Sequence, residues 1–336
     1  MCSTGNHVLD VVGVSWSIHV SVVTLSSFVF NLRESIGSVL SQSFSDWELI
    51  LVDDGSSDGS NRICREYVAS DSRIRLLRKE NGGLSSARNA GLDVVSGRYI
   101  TFLDADDELY PDALEALYSH AEGKGLGMVI GKSINSVSRP DGVKGLGKMT
   151  VFDSEALCRA MLYRVPHPST SACGRIYRRE LFDGIRFYNG MYEDLEIFHK
   201  LVLRAGRVGV IDKPVYFYRD NPGSFINTWS DRRKDAVKVT QMIADTYADD
   251  PLLYKAALNR QFRANFNLLL TLLQYRPEDE ESIEACYSKI KQLRGGVLCD
   301  SFSLLSTRVG AVISYLGLGL LRRSLPLLRR LNPPRP

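Results

Sequence analysis

The chain has 336 residues, enough for one large domain or two with a sizeable core. Hydrophobic residues make up 44% and charged residues 24%, which is ordinary for a soluble protein, and a net charge of +3 is too small to indicate a nucleic-acid-binding protein. The six cysteines are scattered without metal-ligand spacing. This pattern argues against a disulfide framework or a zinc site and favours a reducing compartment.

Two kinds of hydrophobic segment are missing from the sequence. The N-terminus lacks the basic region and apolar run of a secretory signal. No stretch reaches the roughly 20 uninterrupted apolar residues that a transmembrane helix needs. We therefore expect a cytoplasmic protein.

The N-terminal part of the chain alternates between strands and helices. Residues 1–19 have no clear period, and we treat them as an N-terminal extension. Strands are predicted at 20–25, 47–52 and 73–78 and from Tyr99 onward, with helices between them at 31–42, 59–69 and 84–95. The alternation predicts an α/β fold in which helices flank a mostly parallel central sheet.

Beyond residue 110 the pattern becomes irregular and then helical. Helices are predicted at 112–122 and 154–163, strands at 128–133, 208–211 and 215–218, and a loop at 138–150. From Ser230 onward the sequence predicts helices at 232–247, 252–275 and 280–293. We therefore expect an α/β domain over residues 20–228 and a helical C-terminal region over 229–336.

The strand that begins at Tyr99 runs directly into acidic residues. Asp104, Asp106, Asp107 and Glu108 place four acids within five residues. In an open α/β sheet this end of a strand is where ligands bind, and Mg²⁺ and Mn²⁺ prefer oxygen ligands that they share with phosphate. The run therefore indicates a metal–diphosphate site. The alternative is a solvated acidic turn that caps the following helix.

Two further segments place polar groups at strand ends. Asp53 and Asp54 follow the second strand directly. Residues 81–89 form a glycine-rich loop that enters a helix, with Arg88 one turn inside it. Free N–H groups at a helix N-terminus attract anions, and an arginine adds positive charge. The loop lacks the lysine of a Walker loop and the glycine spacing of a dinucleotide fingerprint, and a plain glycine turn remains the alternative.

Glu193 and Asp194 lie in the first turn of a later predicted helix. Acids at that position often serve only as partners of the helix dipole, so a structural role is the alternative to a catalytic one.

The C-terminal tail is apolar and basic. No acid follows Asp300, whereas six arginines do. An amphipathic helix at the surface of an anionic membrane explains this asymmetry, through residues 301–336. The alternative is a helix packed on the main domain with its arginines extended to solvent.

Together these segments resemble the serial motifs of family 2 glycosyltransferases. The resemblance rests on residues 53–56, 81–91, 99–107 and 192–194, with support from 173–177 and 216–219, and it covers about Val20 to Ser224. It implies an A-type glycosyltransferase fold for residues 20–228, a nucleotide-sugar donor that is commonly UDP-linked, and a divalent metal, Mn²⁺ or Mg²⁺. The basic, apolar tail in turn suggests a membrane-bound acceptor, a glycan or lipid-linked glycan of the cell surface.

The resemblance also implies roles on the donor side of the site. Asp54 would face the nucleobase, Asp53 would support the same pocket, and Arg88 would lie near the nucleotide. The family usually ends its first strand with a Pro-x-Tyr-Asn turn, and this chain has Thr24-Leu25-Ser26-Ser27-Phe28 there. In this altered loop Phe28 would stack on the base.

The remaining implied roles concern the metal and the chemistry. Asp104 and Asp106 resemble the two-aspartate metal motif of the family, with Asp106 as the direct ligand and Asp104 also beside the donor. Asp194 would be the general base, with Glu193 beside it. A single displacement would then invert the anomeric carbon.

Two other functions are consistent with parts of the sequence. A sugar nucleotidyltransferase would also use acids and a metal, but it usually carries a basic, glycine-rich loop after its first strand, and none is present here. A non-catalytic nucleotide-sugar-binding or scaffold protein of the same fold would explain the altered first loop. The acids at three strand ends and at Asp194 argue against it.

Overall fold

The computed structural model describes residues 19–26, 29–142, 144–165, 168–220 and 229–323. Within them the chain forms a nine-stranded mixed sheet with helices around it. The strands are β1 (Val20–Ser26), β2 (Trp47–Asp54), β3 (Ile74–Lys79), β4 (Tyr99–Asp104), β5 (Glu108–Leu109), β6 (Met128–Ser136), β7 (Met149–Asp153), β8 (Arg175–Arg178) and β9 (Arg207–Arg219). The helices are α1 (Val29–Leu40), α2 (Ser60–Ser70), α3 (Leu84–Leu92), α4 (Ala113–Lys124), α5 (Ser154–Tyr163), α6 (Glu193–Ala205), α7 (Asp235–Thr246), α8 (Pro251–Tyr275), α9 (Glu280–Cys299) and α10 (Leu305–Ile313).

The first four strands form the parallel half of the sheet, in the order β3-β2-β1-β4. Every residue of β2 is buried, as expected for a central strand covered on both faces. The register sets Leu25 opposite Asp104 and Ser26 opposite Asp53. The acidic ends of β2 and β4 therefore flank the end of β1 on one edge of the sheet.

The other half of the sheet is mixed. β8 runs antiparallel between β4 and β6, β6 pairs in parallel with β9, and β9 also pairs antiparallel with β5 and β7. The two strands predicted at 208–211 and 215–218 are one strand, β9, in which Pro214 coincides with a register irregularity against β6. The loop predicted at 138–150 overlaps the start of strand β7. The side chains of β7 are largely exposed, and its sequence has no alternating apolar pattern.

The helices pack around two clusters of buried side chains. The cluster under the sheet continues through α7 and into α8 as far as Ala257, and a second cluster runs from Phe262 to Leu321. The helices after residue 228 thus share the core of the sheet, and the predicted domain boundary there stays a prediction. The predicted helix at 280–293 extends to Cys299 despite two consecutive glycines.

The apolar tail begins as a helix that is shorter than the sequence suggests. α10 spans only Leu305–Ile313, a 3₁₀ turn follows, the chain is helical again over 318–323, and residues 324–336 lie outside the described part of the chain. In the described ranges, no helix is long and apolar enough to cross a membrane.

Candidate active site

A cleft of about 410 Å³ lies where the ends of the parallel strands meet the start of α6. Asp104 and Asp106 line it from the end of β4, Glu193 from the first turn of α6, and Tyr218 from β9. The N-terminus of α3 forms another part of the wall. The structure therefore brings together acids that are about 90 residues apart in the sequence.

Helix α3 can reach this cleft because it lies unusually close to β1. A Cβ on Gly91 would sit 2.5 Å from Val23 Cγ1, so only glycine fits at that contact. Gly83 precedes the helix with φ +83°, a backbone conformation that favours glycine. The close packing carries Arg88 beneath the strand ends.

Arg88 joins two acids of the cleft wall, Asp104 and Glu193, into one network with Asp194, which is not among the residues that line the cleft. Its guanidinium is buried, with 2% of the side chain exposed, and donates through Nη1 to Glu193 Oε1 at 2.8 Å and to Asp194 Oδ1 at 2.9 Å. Its Nη2 donates to Asp104 Oδ1 at 3.1 Å. One cation thus holds the acids of β4 and α6 in fixed positions.

The network contains more negative than positive charge. Burial and the neighbouring charge of Asp194 raise the pKa of Glu193 to about 7, against the opposing effect of Arg88. Burial also raises the pKa of Asp194, again against the effect of Arg88. Burial alone would lower the pKa of Arg88, but Asp194 and Asp104 outweigh it and keep that pKa well above its usual value. Glu193 can therefore take up a proton near neutral pH.

The four acids predicted as one cluster in fact serve different purposes. Asp104 and Asp106 line the cleft, but Asp107 turns inward, where its carboxylate accepts from the hydroxyl of Tyr216 at 2.6 Å and from Arg219 N at 2.9 Å. Burial raises the pKa of Asp107 to about 8. Its role is therefore to tie the acidic turn to β9.

The fourth acid, Glu108, is also held away from the cleft. Its carboxylate forms ion pairs with Arg139 at 2.7 Å and with Arg219 at 2.7 Å. Arg219 further donates to the carbonyl oxygen of Asp106 at 3.1 Å. Tyr218 lies on the cleft wall, so its segment borders the site as the sequence indicated, whereas Arg219 braces the acidic turn.

The two acids after β2 have separate partners. Asp53 is fully buried and accepts from the backbone N–H and hydroxyl of Ser56 and from Asn61. Asp54 pairs with Lys79 at 2.6 Å and accepts from Gly82 N and Gly83 N at 3.0 and 2.7 Å. Both carboxylates thus organise the turns around the predicted base pocket.

The glycine-rich loop is held by the same carboxylate. Gly82 N and Gly83 N, just before α3, donate to Asp54, while Leu84 and Ser85 at the start of the helix line the cleft. Anion binding by this helix start stays a prediction, and so does the place of Arg88 near the nucleotide, although its guanidinium bonds the acids of the network. The sequence pattern did not point to Lys79 as the partner of Asp54. Lys79 ends β3 and lies opposite Asp54 in the register of β2 and β3.

Two further predictions concern the residue that would stack on the base and the metal site. Phe28, predicted to stack on the base, lies outside the described residues. Among the described residues, no three His, Cys, Asp or Glu side chains converge as a complete metal site. Asp104 and Asp106 still share one cleft wall, and a Mg²⁺-type site needs only one or two carboxylates when substrate phosphates and water complete it. The residues present therefore fit a substrate-completed metal site.

The fold and the cleft define the class of protein. A mixed sheet whose parallel strands bring carboxylates to a cleft, followed by packed C-terminal helices, is the A-type glycosyltransferase fold. The solved structure of S. aureus TarS 1–349 in complex with UDP-GlcNAc has the same fold, with a TM-score of 0.70 over 92% of both chains at 18% identity. The mannosyltransferase PcManGT from Pyrobaculum calidifontis, in complex with GDP-Man and Mn²⁺, gives a TM-score of 0.52 over 94% of this chain and 88% of its own, at 15% identity.

The sequence comparisons identify the family. Glycosyl transferase family 2 matches residues 30–186. The glycosyltransferase GlyG of Streptococcus pneumoniae is 31% identical over 214 residues, which cover 59% of this chain and 69% of GlyG. GlyA of the same organism is 32% identical over 60% of this chain, but the match spans only 30% of GlyA. The chain is a glycosyltransferase of family 2.

Proposed function

We propose that this glycosyltransferase transfers a sugar from a UDP-sugar to a hydroxyl group of a glycan or lipid-linked glycan, with inversion at the anomeric carbon. The observation that carries the proposal is the Arg88 network. It fixes Asp104, on the proposed donor side, and Asp194, on the proposed acceptor side, around one guanidinium. The complex of TarS with UDP-GlcNAc supports a UDP-linked donor.

Asp194 is the residue that we assign as general base. An inverting displacement needs one carboxylate on the face of the sugar opposite the leaving group, where it accepts the proton of the attacking hydroxyl. The raised pKa of Asp194 suits this task, because a base is most effective when its pKa approaches the working pH. Glu193 lies beside it on the same guanidinium and keeps Arg88 in position.

The leaving diphosphate belongs on the opposite wall of the cleft. Asp106 and Asp104 are the residues that would hold a divalent cation there, Mn²⁺ or Mg²⁺. Arg88 bonds Oδ1 of Asp104, so Oδ2 of the same carboxylate would be available to a cation. When bound, the cation neutralises charge that develops on the diphosphate. PcManGT in complex with GDP-Man and Mn²⁺ supports this assignment.

Calorimetry with UDP and a panel of UDP-sugars tests the donor site. We expect binding in the presence of Mn²⁺ that is lost in Asp106→Ala. Asp194→Asn should keep donor binding and lose transfer, because the amide cannot accept the proton. Failure of the unmodified protein to bind any nucleotide sugar would refute the proposal, and lost donor binding in a folded Asp194→Asn would refute the role of that residue.

The exposed tail suggests where the acceptor is located. Leu305, Val309, Val312 and Leu316 recur at helical spacing along α10 and the turn after it, and all are exposed. No acid follows Asp300, so this apolar face lies in a basic segment. We propose that it contacts an anionic membrane from the cytoplasmic side and presents the site to a lipid-linked acceptor.

Flotation with liposomes tests the membrane contact. We expect the protein to float with vesicles that contain phosphatidylglycerol and not with neutral vesicles. Val309→Glu with Val312→Glu places charge on the exposed face without changing the buried one, and it should abolish flotation. Equal flotation of this variant would refute the proposal.

A further inference from the structure

A second cavity, of about 270 Å³, adjoins the active-site cleft. Tyr192, which precedes Glu193 at the start of α6, lines both spaces. The remaining wall comes mainly from α7, α8 and the end of α5. Four of its lining residues are arginines, and none is an acid: Arg164, Arg233, Arg260 and Arg263.

Three of these arginines have no carboxylate partner anywhere in the described ranges: Arg164, Arg260 and Arg263. Arg263 donates to the hydroxyl of Thr307 at 3.0 Å, and Nη1 of Arg260 is buried without any hydrogen-bond partner. The stretches outside the description contain a single acid, Asp10, so the sequence offers almost no other counter-charge. The cavity is therefore built with an excess of positive charge.

The neighbouring charges act on the arginines themselves. Burial, together with the positive charges of Arg164 and Arg263, lowers the pKa of Arg260 to about 9. Burial and Arg164 also lower the pKa of Arg263. Arg88, in the cleft, shows the opposite shift because carboxylates surround it. An anion in the cavity would remove this repulsion, as the acids do for Arg88.

The backbone around the cavity is also unusual. Arg164 has φ 56° and Tyr192 has φ 64°, and in the described ranges they are the two non-glycine residues with positive φ. Both line the cavity. At Arg164 the positive φ marks an ordinary helix end, because this residue caps the C-terminus of α5. Tyr192 instead precedes α6, and residues other than glycine, asparagine and aspartate seldom adopt the conformation there. The strain and the unpaired charge thus occur at the same place.

We propose that the arginine cavity binds a phosphate group of the acceptor, next to the general base. Guanidinium groups match phosphate oxygens with two parallel hydrogen bonds, and several of them around one space suit a phosphate better than a lone carboxylate. Tyr192 is two residues before Asp194, so a phosphate held here brings a nearby acceptor hydroxyl to the cleft. This inference rests on the proposed function and narrows the acceptor to a phosphate-bearing glycan or polyol.

Calorimetry with three probes tests the proposal: inorganic phosphate, a trimer of glycerol phosphate linked by phosphodiesters, and UDP with Mn²⁺. Arg260→Gln/Arg263→Gln should bind the trimer at least tenfold more weakly than the unmodified protein and bind UDP equally well. Arg62→Gln/Arg207→Gln removes the same charge from exposed positions of α2 and β9, where Arg62 is 81% exposed, and should bind all probes normally.

Each outcome decides between the alternatives. Unchanged trimer binding in Arg260→Gln/Arg263→Gln, or no trimer binding to the unmodified protein, overturns the proposal. Tighter binding of inorganic phosphate than of the trimer also overturns it, because the site would then hold free phosphate. Arg164→Gly suits the positive φ, keeps the fold and should also weaken trimer binding. If the unmodified protein does not bind UDP, that result would instead count against the proposed function.

Discussion

Replacing Arg88 with methionine tests whether one buried cation holds the active site together. The change keeps an unbranched apolar stem and removes the guanidinium with its three charge-assisted hydrogen bonds, to Asp104, Glu193 and Asp194. Removing one partner of a buried ion pair costs about 3–5 kcal/mol, because the remaining charges stay buried and unpaired. We expect a loss of this size in the free energy of unfolding at pH 8.

The loss should depend on pH in a defined direction. The pKa of Glu193 is already raised to about 7 with Arg88 present, and it should rise further without it. An acid whose pKa is higher in the folded state than in the unfolded state binds extra protons when folded, so the folded protein is favoured as the pH falls. The cost of Arg88→Met should therefore be smaller at pH 5.5 than at pH 8.

Urea unfolding at both pH values measures the effect. Arg98→Met is the matched control, since Arg98 is 52% exposed and pairs with Glu122 at 2.9 Å. Exposed pairs contribute about 0–1 kcal/mol, so this control should change little at either pH. A cost for Arg88→Met below about 1 kcal/mol, or one that is the same at both pH values, would refute the electrostatic account of the network.

Three further changes probe the site and the sheet. Glu193→Gln should stabilise the protein at pH 8 and not at pH 5, as measured by urea unfolding. The reason is that the charged carboxylate costs stability above its raised pKa of about 7. Equal effects at both pH values would contradict this. Tyr216→Phe removes the hydroxyl that bonds Asp107 and should cost about 1–3 kcal/mol in the same assay, whereas no loss would show that the bond is unimportant. Gly131→Ala puts a Cβ 2.3 Å from Val215 Cγ2, so thermal unfolding should show a loss of about 1–3 kcal/mol in the free energy of unfolding. Val215→Ala in the same chain should partly relieve this loss, whereas additive losses from the two changes would rule out the clash.

The sequence predicted the parallel half of the sheet well because each strand there is a buried apolar run that ends in acids. Tyr99–Asp104 is the clearest case, because the structure confirms this strand and places Asp104 at its end. β7 escaped prediction because its side chains are largely exposed. β9 appeared as two strands because Pro214 interrupts its pattern.

The sequence indicated Asp104, Asp106 and Glu193, which line the cleft, but not the side chains that hold the acidic turn in place. The spacing of Asp104, Asp106 and Asp107 does not reveal that Asp107 turns inward, since that depends on Tyr216 more than 100 residues later. Likewise, the glycine-rich loop indicated Arg88 as an anion-binding residue, but not the carboxylates of the protein itself that its guanidinium bonds. Contacts between distant segments leave no local pattern for sequence analysis to detect.

The order of strands has a consequence for the synthesis of the protein. One edge of β4 pairs with β1, which is made earlier, and the other pairs with β8, which is made about 70 residues later. At roughly 5–20 residues per second, the ribosome leaves this buried, apolar edge unpaired for roughly 3–14 s. Chains that end between residues 104 and 175 keep it permanently unpaired, and such an edge is a template for aggregation. Fragments intended to isolate the donor side of the site should therefore extend beyond Arg178.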